Sequence, residues 1–250
     1  MLDWIRRIRK VSQTLTLPSR DASAGRSQNQ LNPAKLIPAT EVFFSQLVQQ
    51  HFLISDLLND DSNGSPSESF AKRQREIANN YLERGKDLED QLLKLGSSFM
   101  ELQQDVRDRL DLLVTRTEGS GWHEDLMRIY IVFGLLEDCE LRVTKGLAPA
   151  KRVRIEAMLS DNSLIDFCEQ ALSRSIADNP QLAGNLALFG RAVVADALLE
   201  VRDMVSFANF RVTAAGPLEE SREKFKLLEP LISELIAQHT LRMDALGLTA

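Results

Sequence analysis

WHEDLMRIYIVFGLLEDCELRVTKG, residues 122–146, carries the clearest long helical pattern in the chain. Leu126, Ile129, Phe133 and Leu136 recur at spacings of three and four, the period of an α-helix. Tyr130, Gly134, Asp138 and Leu141 run beside them as a second stripe. Two apolar stripes imply packing on more than one side, so the segment reads as an interior helix of a bundle. Gly121 precedes it, and Lys145 with Gly146 closes it as a helix C-terminus should. Gly134 costs roughly 1 kcal/mol against Ala in a helix interior, and its presence predicts close approach of a neighbouring helix.

Working outward, the same period recurs on both sides. Thr40-Glu41 opens a helix whose face holds Phe43, Leu47, Ile54, Leu57 and Leu58. After the loop DDSNGSPS (60–67), Ser67-Glu68 opens the next, with Phe70, Ile77, Tyr81, Leu88, Leu92 and Leu95 as its stripe. Gly96-Ser97-Ser98 breaks that pattern. A third segment, Phe99 to Thr117, leads through Glu118-Gly119-Ser120-Gly121 to the central helix. Beyond Gly146, helices are predicted over 149–160 and 163–177, either separate or joined as one kinked helix, and from Pro180 to about Phe207, with Leu182, Leu186, Phe189, Val193, Ala197 and Val201 as one stripe. Gly216-Pro217 marks a turn. The last helix runs from Glu219 to about Leu246, with Phe225, Leu228, Leu235, Ile236 and His239 inward and a kink at Pro230. No segment alternates with period two over a strand length. The fold class is therefore all-α: an antiparallel four-helix bundle with additional short helices.

The N-terminus differs in kind. Residues 12–38 are Ser, Thr, Gln, Asn and Pro with few large apolar side chains, a composition that cannot offset its ordering entropy. Residues 1–38 read as a basic, disordered tail, and 39–250 as the folded domain. Within the tail, MLDWIRRIRKV (1–11) is a short amphipathic pattern, with Trp4, Ile5, Ile8 and Val11 on one side and Arg6, Arg7, Arg9 and Lys10 around the other. It suits at most weak contact with an anionic membrane surface.

The chain has 250 residues, 44% of them hydrophobic, and a net charge of −6. Residues 1–26 hold six Arg or Lys against two Asp, so the remainder is −10. That balance argues against nucleic acid as a partner. The two cysteines, Cys139 and Cys168, lie inside helical patterns, without the spacing of a zinc site. Reduced cysteines and the lack of an apolar export segment predict a cytoplasmic protein. The longest run free of Asp, Glu, Lys and Arg, Val42 to Ser55, is too short and polar to span a bilayer.

No glycine-rich phosphate loop is present. Helical bundles commonly hold a di-iron or di-manganese site, built from a Glu on each of two helices and a Glu-x-x-His on each of two others. The spacing is physical, because residues three apart share a helix face. His51 follows Val48 by three, His123 follows Ser120, and His239 follows Ile236. No acid-x-x-His exists in the chain. His51 reads as half-buried, His123 as exposed, and His239 as a hydrogen-bonded core residue.

Four stretches carry a resemblance. They are the central helix (Trp122, Glu124, Leu126, Tyr130, Gly134, Asp138), LSDNSLIDF (159–167), IADNPQLAGNLALFGR (176–191) and HTLRMDALGLTA (239–250). Together they resemble ferritin-like proteins of the MiaE-like group, related to tRNA 2-methylthio-isopentenyladenosine hydroxylase and common in actinobacteria. The resemblance implies a Glu in the first helix, where Gln49 stands. In the second it implies Glu-x-x-His, where Asn80 and Glu83 stand. In the third it implies acids at Phe133 and Asp138, of which only Asp138 is acidic. In the fourth it implies acid-x-x-His, where Asp161 is kept and Leu164 replaces the imidazole.

Phe133 and Leu164 then fill the volume of metal and water, and a leftover Asp138 or Asp161 needs a hydrogen-bond partner or an Arg. The expectation is a non-catalytic bundle without catalytic, cofactor-binding or metal-binding residues, acting as a structural or interaction protein and pairing as a homodimer or with another protein. The alternative is a di-iron or di-manganese hydroxylase or oxidase using Glu83, Asp138 and Asp161.

Overall fold

The computed structural model describes residues 31–94, 100–205 and 218–250, without the side chains of Met100 and residues 218–226. It is helical throughout, with no strand among the described residues. In chain order the helices are α1 (Pro33–Leu36), α2 (Thr40–Asp61), α3 (Glu68–Leu93) and α4 (Met100–Arg116). Then come α5 (Trp122–Arg128), a π turn (Ile129–Phe133) and α6 (Gly134–Val143), which form one continuous rod. The remainder is α7 (Pro149–Leu159), α8 (Ser163–Asp178), α9 (Leu182–Met204) and α10 (Leu218–Ala245).

The starts follow from local chemistry. The Ser67 hydroxyl accepts from the Phe70 backbone N–H at 3.3 Å, an N-cap that satisfies one of the first-turn donors of α3. Pro149 stands in the first turn of α7, where its missing N–H costs nothing. Asp161 accepts from the Ser163 backbone N–H at 3.0 Å, which keeps α7 and α8 separate rather than one kinked helix.

α2 and α3 form a hairpin with extensive packing, and α4 lies along α2. The α5–α6 rod touches α9 along its length, α8 at its N-terminal half and the π turn, and α10 at its C-terminal half. Every residue from Leu126 to Leu136 is buried. The interior position read from the two stripes is therefore correct, and the shared cause is contact on all sides. The five-residue π turn was not legible in the period. Such turns add an i→i+5 bond that re-phases the helix, and they recur at functional sites.

Packing begins upstream of the Ala39 boundary. The compact unit that holds the bundle spans Leu31–Ala250, and Leu36 is buried in its core. The amphipathic pattern of residues 1–11, the break at Gly96-Ser97-Ser98 and the turn at Gly216-Pro217 lie outside the described residues. In α10, Leu228, Leu235 and His239 point inward, but Ile236 is exposed. His51 is fully buried rather than half-buried, and His123 is half-buried, edge-on to Trp122 with centroids 5.0 Å apart.

Candidate functional site

Four elements converge behind the π turn: α2 with His51, α3 with Tyr81, α6 with Glu137 and α8 with Cys168. The Tyr81 hydroxyl donates to Glu137 Oε1 at 2.6 Å. The His51 ring lies 5.2 Å from the Tyr81 ring, and its Nδ1 faces the Leu47 carbonyl at 2.8 Å. Arg84, one turn beyond Tyr81, places its guanidinium 5.5 Å from the Tyr81 ring centre and pairs with Asp161. Phe133 and Leu164 are fully buried.

Titration follows from burial. Loss of water pushes Glu137 up to about 7, although the Tyr81 hydrogen bond pulls the other way. Burial also drives His51 down to about 4, opposed by the Leu47 carbonyl and assisted by Arg84. Tyr81 is pushed well above its ordinary value by burial and by Glu137. Burial tends to raise Asp161, but Arg84 and Ser163 bring it below the usual carboxylate range. Both cysteines are buried free thiols raised by desolvation, which makes them inert as nucleophiles.

A second polar chain runs through the interior beside this cluster. Glu140, one turn beyond Glu137, is fully buried and accepts from Gln50 Nε2 at 3.1 Å. Its other oxygen has no hydrogen-bond partner among the described residues. Gln46 reaches Gln50 at 3.4 Å, and Arg109 connects Gln46 to Glu200, the latter at 2.7 Å. Burial, then the neighbouring Glu137, pushes Glu140 well above the carboxylate range.

The residues singled out from the resemblance are not all brought together. Gln49 is buried but turns to α4, where Oε1 accepts from Arg107 at 3.0 Å. Asn80 and Glu83 are exposed, and Glu83 pairs with Lys86 at 2.8 Å. On α3 the pair three residues apart that faces the bundle is Tyr81 and Arg84, whereas Asn80 and Glu83 face solvent. Asp138 pairs with Arg242 at 2.7 Å, and Asp161 pairs with Arg84. Each of these two acids thus has an arginine partner, as a partly buried carboxylate requires. Glu137, Glu140 and Gln50 were missed. The signal for Glu137 was present: it stands four residues after Phe133, on the same face. His239 is buried as read, but its Nδ1 lacks a hydrogen-bond partner among the described residues.

A groove of about 460 Å³ leads from the surface between α6, α8 and α10 to Glu137, with Tyr130, Asp138, Asp161, Glu169 and Arg242 on its walls. A dinuclear centre at its foot needs several carboxylates and an imidazole with free lone pairs facing one point. Here Tyr81 donates to Glu137 Oε1, and the Arg84 guanidinium stands where a dication would be repelled. Among the described residues, no three His, Cys, Asp or Glu side chains are grouped to hold a metal ion. Glu83, Asp138 and Asp161 form no common site. The residues present do not fit the pair of metals. What remains can hold a proton on Glu137 near neutrality.

The family model described as ferritin-like domain, actinomycetes, matches residues 44–212. No curated protein matches the chain.

Proposed function

The chain belongs to the actinomycete ferritin-like domain family, and from that premise we propose that it is a metal-free member of the MiaE-like branch. Its dinuclear centre has degenerated, and it works in the cytoplasm as a non-catalytic structural or interaction module. The observation that carries this reading is the state of the two acids retained from the ligand pattern. Asp138 and Asp161 are each held by an arginine, Arg242 and Arg84, and Phe133 and Leu164 are fully buried in the core. Hydrocarbon at those positions stabilises the bundle by about 1.5–3 kcal/mol per buried side chain. A catalytic centre would leave that volume open to metal, oxygen and substrate. Helical bundles stripped of such a centre retain long faces suited to protein contacts.

The test is aerobic addition of iron(II) to the purified full chain, followed by an oxygen electrode. The reading predicts oxygen uptake no faster than in a protein-free control. Uptake that scales with protein concentration and stops after a fixed number of irons per chain overturns it.

A further inference from the structure

α9 has two faces of different character. Its buried residues are Leu186, Ala187, Gly190, Val193, Ala197, Glu200, Val201 and Met204. Written as heptads with Ala192 at a, these all fall at b, c and f. The a and d positions, on the opposite face, hold Asn185, Leu188, Ala192, Ala195, Leu199 and Arg202. That face is open: Leu188 is 64% exposed, Leu199 is 43% exposed, and both alanines are exposed. By length and composition α9 is also the one helix among the described residues apolar enough to cross a membrane. Its b, c and f face is committed to the bundle, however, with Glu200 buried against Arg109 at 2.7 Å. The apolar character needing explanation is therefore a seam one helix wide.

We infer that this seam pairs in parallel, in register, with the same helix of a second copy of the chain. Three features of the sequence on that face select this occupant. Leu188, Ala192, Ala195 and Leu199 give the alternating three and four spacing of a coiled-coil contact, and the two alanines allow close approach of the helix axes. Asn185 at a meets its own counterpart only in a parallel, in-register pair, where a polar a position specifies register. Arg191 at g and Asp196 at e lie five residues apart, the offset at which g of one parallel strand meets e of the other. Asp196 has no ion-pair partner of its own among the described residues. Arg191 spends one nitrogen on the Thr249 carbonyl at 2.7 Å and keeps others free for a carboxylate. An antiparallel pair sets g against g and e against e, which leaves both charges without opposite partners. Arg202 ends the seam, neutralised by Asp203 at 2.9 Å.

This deepens the interaction-module reading by naming the partner, and its outcome is independent of metal content. The full chain carrying Leu188→Cys is oxidised gently, the native cysteines being buried. A disulfide-linked dimer is expected, because position 188 faces itself only in the parallel register. Sedimentation velocity on the wild-type chain should show concentration-dependent dimerisation. Arg191→Asp should weaken it about tenfold, the size of two lost exposed pairs and new like-charge contacts. Adding Asp196→Arg should restore it, which a merely damaged fold would not allow. A chain that stays monomeric at every concentration overturns the inference. So does cross-linking of Leu188→Cys only to Leu199→Cys, or a monomer that instead co-sediments with anionic phospholipid vesicles.

Discussion

The Arg242 guanidinium lies in the notch that Gly134 leaves in the central helix, with Nε 2.9 Å from where a Cβ would stand. It donates to the Gly134 carbonyl at 3.1 Å and to Asp138 at 2.7 Å. The glycine predicted to admit a neighbouring helix admits a side chain of that helix, and the ion pair with Asp138 depends on it.

Gly134→Ala should therefore destabilise the wild-type chain by about 1–3 kcal/mol, because the displaced arginine loses buried hydrogen bonds. In an Arg242→Met background, where the obstruction is flexible, the same substitution should stabilise by up to about 1 kcal/mol through helix propensity. Urea titration of the four chains measures the change of sign. Equal effects in both backgrounds would show that the arginine does not fill the notch.

Tyr81→Phe removes the only donor that the described residues offer to Glu137 and leaves a half-buried carboxyl without it. Loss of about 1–3 kcal/mol in stability is expected. Because that hydrogen bond holds Glu137 down, the carboxyl should titrate higher in the variant than in the wild type. Carboxyl-carbon NMR of labelled glutamate reads both. An unchanged titration would mean that the contact does not persist in solution.

Glu137 and Glu140 set a pH dependence of known sign. Each is raised by burial above its ordinary value of 4.5, Glu137 to about 7. The folded state thus holds protons that the unfolded chain releases, so stability falls as pH rises from 4.5 through about 7. Glu140→Gln keeps an acceptor for Gln50 and cannot ionise. It should raise the melting temperature at pH 8 by several degrees, at about 2–4 °C per kcal/mol for a chain this size, with little change at pH 4.5. His51 works oppositely, losing stability as pH falls from 6.5 to about 4, but it is common to both chains, so the difference between them isolates Glu140. A Glu140→Gln chain less stable than wild type at pH 8 would contradict a buried, uncompensated carboxyl.

The helical layout was legible because long apolar stripes at the 3.6-residue period leave few alternatives. So was the fate of Asp138 and Asp161, since a buried acid needs a partner whatever the alignment. Register within α2 and α3 was not. Neighbouring residues on a helix point about 100° apart, so reading Asn80 for Tyr81 exchanged an exposed amide for the phenol at the centre of the cluster. The stripe Ile77, Tyr81, Leu88 in the sequence carries the phase that the structure shows, all three being buried. Glu140 escaped because a charged residue beside two other acids reads as a solvated face, and only tertiary packing buries it. The open face of α9 escaped for the opposite reason: its apolar residues were read as one stripe when they surround the helix.

The central claim is that side chains now occupy the place of a dinuclear metal centre. Elemental analysis of the full chain, purified without added metal and without chelator, tests it most directly. The proposed function predicts iron and manganese far below one atom per chain. Either metal at close to two atoms per chain, lost when Glu137 and Glu140 are both replaced by Gln, would contradict it.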